Sequence, residues 1–470
     1  MDMKRFKDVF SIDSRAIGIF RICLASILII DLIVRSFSLI AHYTDFGTLP
    51  LNFYFNTYQD TGWFSVHLLN GSILFQSILF VIAGLFAVTL LLGYKTRISA
   101  IISWILLISI HSRNPTILQG GDIMLRVLLF WAMFIPLNIR YSIDRKLGNV
   151  NNNKNVFSFG TAGILLQVAF VYFFSALLKT GNDWIPDGTA IYYALQLDQF
   201  ATHFGKFMLN FPSLLIGMTY SVYFLELIGP FLILLPFKKI RITTAFAFII
   251  TLIGMALCLN LAHFPFVGMM GVLLFLPSLF WDKLSIEFKF LRTRDTHETN
   301  YNKSNWKKIT VNLIALFFII YIFLWNVQSL EKLNAIPDNF EFVAHGLRID
   351  QYWNMFSPYP LKDDGWYVIN GTLDDGNSVD LMTGKAVNYE KPAHVASLYT
   401  NERWRKYLMN LWDRSYAHHR PYYLSYLCYN WNKQNDTKLE HVTMNFMLER
   451  SLPDYQPQPV EKVMLEEIDC

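Results

Sequence analysis

A lysine closes a run of the chain that is almost free of charge. Phe173-Phe-Ser-Ala-Leu-Leu leads into Lys179, and Thr180-Gly-Asn-Asp-Trp184 follows. At an apolar helix end, a lysine ordinarily snorkels its ammonium to the interface. Held back from water, a lysine amine has another use, as a general base. Other ionisable residues also fall in or beside apolar stretches: Arg21, Asp31, Arg35, His111, Asp122, Arg126, Glu226 and His263. At bilayer depth each charge costs about 2.5–3.5 kcal/mol on insertion scales, so such groups face a bundle interior, where they pair or act. Arg21, Asp31 and Arg35 can pair with one another or with Asp122, which is a structural role. Glu226 lies in the middle of its run, where a carboxylate must be paired or protonated; Arg21 and Arg126 are its candidate partners. His263 has two readings, a hydrogen-bonded interior histidine or a site residue. No Cys-x-x-Cys pair occurs among the four cysteines, so no metal or redox motif is expected.

These residues need elements to hold them, and composition says which. Hydrophobic residues make up 53% of the 470 and charged residues 16%, with a mean hydropathy of +0.30. Soluble domains carry about 25% charged residues, so a fully soluble chain is excluded. Apolar runs near the span length of about 20 residues fall at 16–37, 72–92, 98–110, 123–137, 161–178, 214–236, 242–262, 264–281 and 309–327. The fold class expected is therefore a polytopic α-helical membrane bundle of about eight or nine transmembrane helices over residues 1–328. A small β-rich α+β domain follows over residues 329–470. The first run is too long for a signal-peptide core and reads as an uncleaved anchor.

The positive-inside rule orients this map. With the N-terminus in the cytoplasm, twenty Lys and Arg fall on inside segments, and only Arg113, Lys179 and Lys206 fall between helices outside. An odd number of spans then places the C-terminal domain outside, in a periplasm or equivalent, with the chain in an inner or plasma membrane. Nucleic acid is not an expected partner, because no dense basic run is interleaved with aromatics. Outer loops 38–71 and 181–212 are long enough to be functional, while 149–155 and 282–308 read as inner connectors. Without an internal repeat, the inverted-repeat signature of many transporters is missing. In the tail, residues 365–373, the turn Asp374-Asp-Gly-Asn377 and residues 378–381 read as a hairpin. Residues 402–411 read as an amphipathic helix, and 441–449 as a strand. Cys428 and Cys470 can pair if the tail lies in an oxidising compartment, whereas Cys23 and Cys258 sit in apolar runs.

Several phrases together resemble the vitamin K-dependent γ-glutamyl carboxylase family and its bacterial relatives, the horizontally transferred transmembrane (HTTM) domain proteins. Asp13-Ser-Arg-Ala-Ile-Gly-Ile-Phe-Arg21, then Asp31, Arg35 and His42-Tyr-Thr-Asp-Phe-Gly-Thr-Leu-Pro50, resemble the opening of HTTM proteins. So do His111-Ser-Arg-Asn-Pro115, Gly120-Gly-Asp122 and Arg126. Ser175-Ala-Leu-Leu-Lys179 through Trp184, with Gly188, is similar to the carboxylase segment that carries a catalytic lysine. His263-Phe-Pro-Phe-Val-Gly is similar to a later histidine segment. Tyr352-Trp-Asn-Met355, Asp375-Gly376 and Arg403-Trp-Arg-Lys406 resemble the start of the lumenal β-rich domain.

The resemblance implies a chemistry. A neutral lysine deprotonates a reduced vitamin K-type quinol, oxygen adds, and the oxidised ring becomes a strong base. That base removes a γ-proton from a protein glutamate, which takes up carbon dioxide. Lys179 would be the catalytic base, and His111, His263 and Trp184 would surround the quinone. O2 and CO2 would be co-substrates, and a protein or peptide substrate would approach from the outer side. The dry bundle would protect the strong base. Two departures bear on the second half of this chemistry: Phe356-Ser-Pro-Tyr-Pro-Leu stands where the carboxylases carry a basic, histidine-bearing segment, and the tail is short. The alternative is a non-enzymatic HTTM maturation, immunity or scaffold protein that binds a partner through its outer loops and tail.

Overall fold

Capping residues set where the chain turns helical. The computed structural model describes residues 3–147, 153–287, 305–331, 333–451 and 459–470. The Asp13 side chain accepts the Arg15 N–H and starts α1 (Ser14–Ser36). Ser72 does the same for α2 (Ile73–Leu92), which Gly93 ends in the left-handed conformation. Next come α3 (Thr96–Arg113) and α4 (Gly120–Ala132). A Ser158–Thr161 capping box opens α5 (Phe159–Leu178), and Pro212 sits in the first turn of α6 (Pro212–Ile233). Then follow α7 (Lys238–Cys258), α8 (Phe264–Leu273), α9 (Ser278–Glu287) and α10 (Asn305–Gln328).

Six of these helices, α1, α2, α5, α6, α7 and α10, are long and apolar enough to cross a membrane. The pair α8 and α9, bent by 100° at its break, makes a seventh when the two are counted as one span. The expected eight or nine spans counted two further runs, and both are helical here. At 13 residues α4 is about 20 Å long, short of a hydrocarbon core of about 30 Å. Its side chains are buried almost all round, which makes it a core helix. α3 buries serines, His111 and Arg113 along its length, and these dilute its apolar character. α5 is the most central of the six, with 72% of its apolar window buried against 28% for α6 and α7. It packs on α4, α6 and α10.

The segments expected on the inner side meet at one end of the bundle. Arg15 binds Asp13 and Asp282, Lys154 reaches Asp282 at 2.8 Å, and residues 12–13 pair with 155–156. The Asp144 carboxylate accepts the Lys95 and Thr96 N–H groups. Of the expected inner connectors, residues 148–152 and 288–304 lie outside the described residues. Loops 38–71 and 181–212 meet the tail at the opposite end. Tyr58 contacts His419 at 2.9 Å, Phe53 stacks on Tyr422 at 3.7 Å, and Lys391 binds Asp198 at 2.7 Å.

The tail enters the bundle before it forms its own sheet. Ile336, Ala344, Ile349 and Trp353 belong to the same apolar core as the helices. Gln351 is bonded to Gln167 of α5 at 2.7 Å. Beyond this plug, β1 (Asp363–Leu373), β2 (Ser378–Asp380), β3 (Leu439–Arg450) and β4 (Glu461–Asp469) form an antiparallel sheet of order β2-β1-β3-β4. Gly376, at φ 80°, makes the expected turn between β1 and β2. Helices α11 (Glu402–Trp412) and α12 (Arg420–Gln434) pack on one face through Tyr407, Leu408 and Leu424.

A disulfide joins Cys428 of α12 to Cys470, closing a loop of 42 residues. In a chain-entropy picture such a loop stabilises by roughly 4 kcal/mol. Alkylation of the denatured, unreduced chain is expected to label two cysteines, Cys23 and Cys258, and reduction to raise the number to four. Labelling of all four without reduction would contradict the pairing.

Candidate functional site

Lys179 is where α5 stops. Its N–H still bonds to the Ala176 carbonyl at 3.1 Å, but its backbone has left the helix. The side chain turns inward rather than snorkelling, and the residue is 6% exposed. Its Nζ donates to Ser175 Oγ at 3.0 Å, pairs with the Glu226 carboxylate of α6, and lies 4.8 Å from the centre of the Trp184 ring. The Trp184 indole N–H is tied to the Phe356 carbonyl at 2.9 Å. Glu226 therefore has a partner that the sequence did not indicate. Neither expected partner is free to reach it. Arg21 donates to the carbonyls of Leu90, Leu91 and Tyr141 at the inner end. Arg126 holds the Asp350 carbonyl at 2.6 Å and its carboxylate at 3.0 Å. What brings Lys179 and Glu226 together is the packing of α5 against α6.

The pair lines a cavity of about 620 Å³. Leu225, Phe248 and Met255 supply apolar wall, and the Gln119–Gly121 turn at the start of α4 closes one side. Gly121 is needed there, because a Cβ would come within 3.0 Å of the His263 ring and the Phe264 nitrogen. Ser221 of α6 and Ile250 of α7 line it from positions exposed on the outer faces of those helices, so the cavity opens between them. Tyr172, also in the wall, buries a hydroxyl that has no hydrogen-bond partner among the described residues. The tail forms the roof. Residues 354–357, Tyr359 and Leu361 line the same cavity as Lys179. Arg405 of α11 is spent on the Gln199 and Asn260 carbonyls at 3.2 and 2.7 Å. Lys406, half-buried beside it, has its ammonium pulled down to about 8 by burial.

A second constellation adjoins this cavity along α4. Arg35 binds Asp31 at 2.7 Å and Asp122 at 2.5 Å, as the sequence suggested. Arg403, from the first turn of α11, completes the cluster with bonds to Asp122 at 2.6 and 2.9 Å and a contact to Asp31. Asn401 caps α11 and so aims Arg403 inward. All four side chains are essentially inaccessible to solvent. His111 and His263 belong to this cluster: their Nε2 atoms lie 3.6 and 3.7 Å from Asp122, and neither lines the cavity. Ligand atoms of Asp31, His111 and Asp122 fall within 4.8 Å of one another, a spacing that would suit a cation. The carboxylates there already face two guanidiniums, which compete with a metal for the same lone pairs.

The structure thus gathers Lys179, Glu226 and Trp184 at one cavity, and Asp31, Arg35, His111, Asp122 and His263 at a neighbouring ion cluster. Arg21 and Arg126 stand apart. Sequence reasoning gave no role to Arg403 or Tyr172. The run Arg403-Trp-Arg-Lys at a helix start was the available signal for the first; Tyr172 offered none. Among known families, residues 10–280 match the HTTM domain. The match covers more than half of the chain and includes both constellations except for their tail residues. No curated protein and no solved structure matches.

Proposed function

This chain belongs to the HTTM domain family, and on that premise we propose that it takes a lipid-soluble quinol into the cavity beside Lys179 and uses it in a carboxylase-like reaction on protein glutamate. The observation that carries the reading is the buried Lys179–Glu226 pair in an apolar cavity that opens between α6 and α7. Its volume falls within the range of about 300–1,000 Å³ usual for small-ligand sites. The unpartnered Tyr172 hydroxyl fits a ligand that carries ring oxygens. In that place Gln119, Tyr172 and Asn354 would be the polar contacts. His111 and His263 would act through Asp122, by holding the α4 turn.

Lys179 is the base in this reading. Moving one proton along its hydrogen bond to Glu226 leaves a neutral amine aimed into the cavity, ready to take a proton from an acidic hydroxyl. Ser175 and Trp184 fix the amine in place. A bound quinol would supply, with dioxygen, the driving force for abstracting a γ-proton, and carbon dioxide would complete the carboxylation. The low-dielectric walls keep water from quenching a strong base. A protein or peptide substrate would reach the site from the tail side. The inner-end clustering of cations and the tail disulfide support a cytoplasmic N-terminus and an extracytoplasmic tail in the cell membrane.

A non-enzymatic scaffold is the second reading. It is favoured by one observation, that neither histidine lines the cavity. Binding separates the two. Naphthoquinone added to the full chain in detergent is expected to quench tryptophan fluorescence saturably, and Trp184→Phe to remove most of that quenching although eleven of the twelve tryptophans remain. Unsaturable quenching, equal in both proteins, would favour the scaffold.

A further inference from the structure

The segment His111-Ser-Arg-Asn114 contributes His111 to the ion cluster, but its arginine takes no part there. Arg113 ends α3 with 0% exposure, and none of its three guanidinium nitrogens has a hydrogen-bond partner among the described residues. Arg35 and Arg403, equally buried, are met by carboxylates. An uncompensated buried cation is costly, so this one calls for an acceptor.

Its surroundings are built for an acceptor of negative charge. Tyr43 and Tyr54 lie near the guanidinium. The His67 ring is also close; its Nδ1 is held by Ser109 Oγ at 2.6 Å, and its Nε2 has no partner among the described residues. Arg348, from the tail, also acts electrostatically on Tyr54. It donates to Ser112 Oγ at 2.8 Å and lies 4.2 Å above the Trp63 ring, whose buried N–H also has no partner among the described residues. Nearby carboxylates make no hydrogen bond to Arg113 among the described residues, although Asp45 acts on it through space. Asp350 is shared between Arg348 and Arg126 at 3.2 and 3.0 Å, and the exposed Asp45 accepts the Leu51 N–H at 2.9 Å. None of Arg113, Tyr54, His67 or Trp63 lines the Lys179 cavity.

We propose that Arg113, with Arg348 and the Tyr54, Trp63 and His67 side chains, forms a second site that binds a small oxyanion of the carboxylate, bicarbonate or phosphate class. A guanidinium fork matches two oxygens of such an ion. Free ions and the phosphate of an anionic lipid share this chemistry.

The test is the unfolding midpoint of the full chain in detergent, with sodium phosphate, bicarbonate or acetate compared against chloride at equal ionic strength. At least one oxyanion is expected to raise the wild-type midpoint by about 2 °C or more, and Arg113→Gln to abolish the rise. Arg113→Lys keeps the charge without the fork and is expected to need roughly tenfold more of the ion. If Arg113→Gln does not fold, the wild-type and lysine arms decide the matter. Added phosphatidylglycerol forms a parallel arm: a rise with the lipid alone, lost in the variants, assigns the site to a headgroup. No ion-specific or lipid-specific rise in wild type, or an equal rise in Arg113→Gln, overturns the proposal. A glutamine variant more stable than wild type in chloride, with oxyanions inert, also overturns it and leaves only a hydrated charge.

Discussion

Arg403→Met is expected to lower stability by about 3–5 kcal/mol, the usual cost of removing one partner from a buried ion pair. In the native protein, two carboxylates and two guanidiniums balance inside the bundle. The substitution leaves Asp31 and Asp122 facing Arg35 alone, with one negative charge in excess at full burial. It also removes the bond to the Ile117 carbonyl at 3.2 Å. Because Arg403 comes from α11 and its partners from α1 and α4, the loss falls on tail docking. Urea unfolding should show it, and so should faster proteolysis between the plug and β1. Asp31→Asn in the same chain restores charge balance and should recover part of the loss, a coupling that a double-mutant cycle reads directly. A change of less than about 0.5 kcal/mol, typical of surface substitutions, would mean that the cluster does not hold the tail.

Glu226→Gln is expected to affect both stability and turnover. It strands the Lys179 ammonium at 6% exposure with Ser175 as its remaining hydrogen-bond partner, again at a cost of about 3–5 kcal/mol. It also removes the acceptor for the lysine proton, so quinol-dependent turnover should fall by about 10²–10⁴, the range for a lost acid–base partner. The paired variant Lys179→Met with Glu226→Leu separates the two effects. With no charge left to strand, its stability should return to the wild-type level or exceed it, while turnover stays absent. Unfolding curves and turnover of the same preparations check this. A double variant as unstable as the single one would mean that the ion pair does not set the energetics of the cavity.

Much of the bundle was legible, because spans of about 20 apolar residues announce themselves whatever packs around them. Hydropathy does not distinguish a lipid-facing helix from one buried in protein. That is why α4, short and enclosed, read as a span. The run 264–281 read as one helix, although Pro277 lies where it breaks and turns by 100°. Within the site, Lys179 was marked by its own position at the end of an apolar run. Its partner was not, because Glu226 lies 47 residues away on a helix whose rotation the sequence does not give. The pairing of Arg35 with Asp31, four residues apart on one helix, is one of those the sequence left open. Arg403 reaches Asp31 across 372 residues, and only the docking of the tail brings it there.

Quinol epoxidation in membranes, measured for wild type and for Lys179→Ala with the Cys428–Cys470 bond as the check on folding, bears most directly on the role of the lysine. Oxygen-dependent product from wild type and none from the folded variant is the expected result. Equal rates from the two proteins would contradict it.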